Sequence, residues 1–115
     1  MRDNSRLGRR RSQRVTLRVP IIVSVSQTNH RATVERTHTL AVNRYGGLIA
    51  LQASVDPGQI LLLTNTATRV IKECRVVYLG PSHHDKRQVG VEFADPVTDF
   101  WNISFPARDA KPFAE

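Results

Sequence analysis

The stretch LRVPIIVSV, residues 17–25, decides the fold class. Leu17, Val19, Ile21, Val23 and Val25 fall on one side of an extended chain, and Arg18, Pro20, Ile22 and Ser24 on the other. A period of two marks a strand with one buried face, because successive side chains on an extended backbone point opposite ways. Pro20 has no N–H to give to a ladder, so the pattern places it at a sheet edge or a bulge.

The same grammar continues outward from this strand. SQTNHR (26–31) is a turn cluster, and ATVERTHTLAV (32–42) is a β-branched, polar, exposed strand. GGLIALQA (46–53) opens on two glycines and turns apolar. DPGQ (56–59) has Pro second and Gly third, the type II turn preference, and leads into QILLLTN (59–65), a short buried strand. TRVIKECRVVYLG (68–80) puts Cys74, Val76 and Tyr78 on one face and Glu73 and Arg75 on the other; Ile71 falls out of phase, which suggests a bulge. GPSHHDKR (80–87) reads as a loop, and QVGVEF (88–93) turns Val89, Val91 and Phe93 inward. Six short, regularly spaced strands with no apolar period of 3.6 predict an all-β barrel or sandwich. Asp95-Pro96 predicts a short C-terminal helical turn that lays Phe100 and Trp101 over an open barrel end. The expected organisation is a flexible Arg-rich arm (1–13), a barrel domain with its C-terminal cap (14–104) and a tail (105–115).

A chain of 115 residues suits one domain with one core. Its single cysteine, Cys74, excludes an internal disulfide and favours a reducing compartment. No apolar run approaches the roughly 18 residues of a membrane span, and the N-terminal arginines lack the apolar segment of a secretory signal. The expectation is a cytoplasmic protein that does not engage membrane. Residues 1–18 hold seven arginines against one acid, +6 of the net +7; residues 19–115 carry ten basic and nine acidic residues, or +1. The basic character is local, and it calls for an anionic partner near the N-terminus.

Catalytic and metal patterns are weak. HHD (83–85) is the one His–Asp cluster, but His83 and His84 could share a metal only in a loop and lack an evident third ligand, and Cys74 sits on an apolar strand face with no base beside it in sequence. No pair of carboxylates suggests acid–base work. The expectation is neither an enzyme nor a metal or cofactor protein. The arginines at 2, 6, 10, 14 and 18 recur every four residues, but the strand from Leu17 forbids one long arginine helix, and the arm lacks aromatics for base stacking. A nearly neutral body also argues against nucleic acid as the partner.

An Arg-x-x-x-Arg pair, an alternating strand, a second strand ending in a Gly turn, a Pro-Gly turn, a long strand and VGVEF follow in that order. This resembles the PilZ domain family over roughly residues 9–94. The resemblance implies a six-stranded antiparallel barrel and binding of the second messenger cyclic di-GMP, in a bacterial signalling protein. The first family motif matches Arg10 and Arg14 in RRSQR, with Arg9 and Arg11 adding charge. Guanidinium groups fork onto phosphates and guanine edges and stack on purines. The second motif, Asp/Asn-x-Ser-x-x-Gly, falls on AVNRYGG: Gly46 matches, Asn43 takes the serine position and Ala41 the acidic one. Arg44 offers a further anion contact, and the outward-facing Gly90 leaves room for a ligand or for packing. The implied site is therefore Arg10, Arg14, Asn43 and Gly46, flanked by Arg9, Arg11, Arg44 and Gly90. The implied role is a second-messenger receptor acting in trans on a protein partner. The alternatives are a PilZ-like interaction adaptor that no longer binds the dinucleotide, and a nucleic-acid-binding β-barrel.

Overall fold

The structure, a computed structural model, describes residues 14–26, 32–95 and 99–103. Six strands follow in chain order: β1 (Pro20–Ser26), β2 (Ala32–Asn43), β3 (Gly46–Leu51), β4 (Ile60–Asn65), β5 (Ile71–His83) and β6 (Lys86–Phe93). Every pairing is antiparallel, and the order β1-β2-β3-β6-β5-β4 closes into a barrel because β1 pairs with both β2 and β4. Closure removes every sheet edge, so Pro20 cannot take the edge position expected of it. It is instead the first residue of β1, opposite His38, and pairing with β4 begins one residue later at Ile21↔Asn65.

The period-two residues of β1 fill the barrel. Ile21, Val23 and Val25 are buried with Ile49, Leu51, Leu61, Leu63, Val76, Val89 and Val91. Two expectations about facing need correction. Strand β4 is half-buried: Leu61 and Leu63 point inward, while Ile60 and Leu62 remain 45% and 44% exposed. Tyr78 does not share the inward face of Cys74 and Val76 but is 51% exposed. The β5–β6 register shifts between Val76 and Tyr78, and one extra residue there reverses the facing of Tyr78 and Leu79. Ile71 lies in phase with the outward Glu73 and Arg75, so the bulge falls after Val76 and not near Ile71.

The expected loop at 80–87 is also strand. β5 runs on to His83 and turns at His84 and Asp85 into β6, with Ser82↔Arg87 and His83↔Lys86 paired. A second register shift between Leu79 and Ser82 accommodates Pro81, which has no N–H to pair. The turn at 56–59 forms as expected: Gly58 takes φ 87° and the Gln59 N–H donates to the Asp56 carbonyl.

The aromatic end caps the barrel without a helix among the described residues, since 99–103 are bends and turns, and Pro96 lies outside the described residues. Phe93, Phe100 and Trp101 form a cluster with ring centroids 4.8–5.7 Å apart. Buried Asn65 ties it down: its Nδ2 donates to the Phe100 carbonyl at 2.8 Å, and its Oδ1 accepts the Ala67 N–H. Among the described residues no helix is long and apolar enough to cross a membrane.

Cys74 lies in the core, and burial, with the Glu73 carboxylate adding to it, pushes its thiol up to about 12. The thiol stays protonated and enclosed, so it is no nucleophile at neutral pH. The unfolded chain releases this proton near pH 9 and the folded chain near pH 12. The contribution to stability is therefore complete below about pH 9 and lost as pH rises toward 12. A thiol-reactive dye at pH 8 should label the native protein only at its unfolding rate and label it at once in denaturant; fast labelling without denaturant would contradict this placement.

Candidate functional site

The segment after the arm runs alongside β2 before it becomes β1. Val15 and Val42 exchange two backbone hydrogen bonds, each 2.8 Å. Buried Thr39 holds the next residues: its Oγ1 donates to the Leu17 carbonyl and accepts the Val19 N–H, while its own N–H donates to the Val19 carbonyl. Arg18 is drawn to His38, with Nη2 to Nε2 at 2.9 Å. A strand-paired anchor of this kind fixes Arg14, the residue just before Val15, on the outer wall of the barrel.

The outer wall there is built from two rows that cross four strands. Ala41, Leu48, Gly90 and Tyr78 form one; Asn43, Gly46, Glu92 and Arg75 form the other. A cleft of about 390 Å³ opens over these rows, and Arg14, Asn43, Gly46, Tyr78, Gly90 and Glu92 are among its walls. Arg14 and Glu92 lie far apart in sequence and are brought to one cleft because Val15 pairs with Val42 on β2, β2 pairs with β3, and β3 pairs with β6.

Of the expected site residues, Arg14, Asn43, Gly46, Arg44 and Gly90 fall within the described structure. Arg14, Asn43, Gly46 and Gly90 converge on the cleft. Arg9, Arg10 and Arg11 lie outside the described residues. Arg44 belongs to the β2–β3 turn but does not line the cleft, and its buried Nε has no hydrogen-bond partner in the described structure. Ala41 is buried and also stands outside the lining.

The β2–β3 turn is held from both sides. The Asn43 Oδ1 accepts the Tyr45 N–H at 2.8 Å, a side-chain turn that fixes Asn43 toward its own backbone. From inside the barrel, Trp101 Nε1 forks to the carbonyls of Asn43 (2.9 Å) and Gly46 (3.0 Å). The aromatic cap thus shapes the cleft wall as well as closing the core. Trp101→Phe keeps most of the packing but removes this donor; we expect a loss of about 1–3 kcal/mol in urea denaturation. An unchanged midpoint would show that the fork carries no stability.

Gly46 and Gly90, two of the three glycines that line the cleft, are required by packing. A Cβ on Gly46 would sit 1.9 Å from the Val91 carbonyl oxygen, because β3 and β6 approach closely there. A Cβ on Gly90 would meet the Tyr78 Cβ at 2.9 Å, and the Tyr78 ring covers the space above that glycine. Of the two reasons for a glycine at position 90, Tyr78 packing is therefore the one in the structure.

No family model matches the chain, and no curated protein matches it.

Sequence reasoning missed Tyr78 and Glu92 as cleft residues. The bulge hid the first. The second was within reach, since counting by two from outward Gly90 along QVGVEF turns Glu92 outward. The histidine cluster stays apart from the cleft: the His83 and His84 rings meet at a tilt, centroids 4.2 Å apart, on the β5–β6 hairpin, and among the described residues no three His, Cys, Asp or Glu side chains group to hold a metal.

Proposed function

We propose that the chain is a PilZ-type module that binds cyclic di-GMP in this cleft and acts in trans as a second-messenger receptor. The observation that carries the reading is the convergence of Arg14 with Asn43 and Gly46, two motifs far apart in sequence, on one cleft. An arginine at a cleft mouth offers a planar, permanently charged fork to a phosphate or a purine edge. At about 390 Å³ the cleft is small against the roughly 300–1,000 Å³ of ligand sites, so a dinucleotide would need a further wall. The arginines at 9, 10 and 11 are the chain's natural supply of one. Binding then acts as a switch: the arm closes on the ligand and a protein partner reads the new surface.

A second reading, an interaction adaptor that has lost the ligand, draws on Ala41, which gives the acidic motif position no acceptor. Titration calorimetry on the full chain separates the two. We expect saturable heat with cyclic di-GMP at tens of micromolar protein; no heat from folded protein overturns the receptor reading and leaves the adaptor.

A further inference from the structure

We infer that the outer face of β1 and β4, across the barrel from the cleft, is a docking surface for a second copy of this chain. The inference is independent of the cyclic di-GMP reading, because no residue of this face lines the cleft.

In the closed strand order β1 and β4 are neighbours, and β3 and β6, which carry the cleft, lie opposite them. The described residues leave four large apolar side chains exposed here: Val34 at 65%, Ile71 at 58%, Ile60 at 45% and Leu62 at 44%. Scattered singly, such residues would need no explanation, but the register gathers them into one patch. One row across β2, β1, β4 and β5 reads Val34, Ser24, Leu62, Glu73; the next reads Arg36, Ile22, Thr64, Ile71. Closure leaves no strand edge to pair through, so association at this face is side chain on side chain.

The rows complement themselves. A two-fold axis parallel to the strands, between β1 and β4, sets each row over its own reverse, as an isologous contact requires. Leu62 then meets Ser24 of the second copy, a large side chain over a small one, and Ile22 meets Thr64. A dent of about 450 Å³ walled by Ser24, Ser26, Ile60, Leu62 and Glu73 gives the incoming leucine room. At the rim, Arg36 lays its stem along Ile71 of the second copy, one step along the strand from that copy's Glu73. The axis repeats the contact, so two Arg36–Glu73 pairs flank an apolar centre, the usual anatomy of an interface. Both side chains are exposed. Within one copy three strand spacings, about 14 Å, separate them, so they pair only between copies. An anionic membrane is the poorer match, because it attracts cations alone and this face mixes Glu73 with its arginines.

The test is sedimentation equilibrium of the full chain without ligand, from about 10 to about 500 µM, at roughly 0.15 M salt to screen the basic arm. A face of this width is at the low end of interface sizes, so we expect a reversible dimer with a dissociation constant of about 10–300 µM. Leu62→Arg, at an outward position, should be monomeric throughout. Arg36→Glu should weaken the dimer by about tenfold or more, and Arg36→Glu combined with Glu73→Arg should restore it. A wild-type chain that stays monomeric overturns the inference and leaves the face to a different protein. A dimer that survives Leu62→Arg forms through another surface and overturns it as well. A charge-swapped chain no tighter than the Arg36→Glu variant overturns the two-fold arrangement on which the inference rests.

Discussion

Gly46→Ala lowers the melting temperature by about 10–20 °C. The added methyl would lie 1.9 Å from the Val91 carbonyl oxygen and 2.9 Å from the Glu92 Cα. Both are backbone atoms of β6, and neither can rotate away. Strand β3 must move off β6 at the Gly46↔Glu92 pair, in a barrel whose closure leaves little slack. Overpacking costs about 1–3 kcal/mol, and a backbone collision belongs at the upper end. In a domain of this size each kcal/mol shifts the midpoint by about 4–8 °C. The comparison is Gly58→Ala, where φ is 87° but nothing lies within 4 Å of the new methyl; it should cost only about 1 kcal/mol. Thermal unfolding of the two variants measures the difference. Equal midpoints would mean that β3 and β6 are not in the close register described.

Arg14→Ala should weaken cyclic di-GMP binding by roughly tenfold to a hundredfold, the equivalent of about 1.5–3 kcal/mol for a hydrogen bond to a charged group. Arg14 is exposed, so its removal should leave the melting temperature nearly unchanged. Arg14→Lys keeps the charge but not the planar fork and should fall between the two. Arg10→Ala combined with Arg14→Ala should abolish detectable binding if the arm closes over the cleft. Wild-type affinity in the Arg14→Ala protein would take the first family motif out of the site.

The two predictions separate what Gly46 and Arg14 do. Gly46 matches the motif, yet strand packing alone demands it. Arg14 has no comparable role in the core. Of the motif residues, then, the glycine is accounted for by strand packing, and the proposed binding rests on the arginines.

The barrel was legible because β1, β3, β4 and β6 alternate cleanly or run apolar between recognisable turns. Sequence failed at β5, where Val76–Tyr78 and Leu79–Ser82 shift register. A period-two count cannot survive an inserted residue, so Tyr78 was placed inside and Pro81 in a loop. The cleft was half legible. Arg14, Asn43 and Gly46 stood out as motif residues. The outward facing of Glu92 was legible by counting from Gly90, but its place beside Gly46 and the reach of Trp101 to the β2–β3 turn were not, because they depend on β3 pairing with β6 and on the cap. Such long-range pairings leave no local trace.

The most direct measurement is an amide chemical-shift map of the full chain titrated with cyclic di-GMP. The account predicts saturable shifts at Arg14, Asn43, Gly46, Gly90 and Glu92, with Ser24 and Leu62 on the opposite wall unmoved. Shifts centred on Ser24 and Leu62, or none anywhere at saturating ligand, would contradict it.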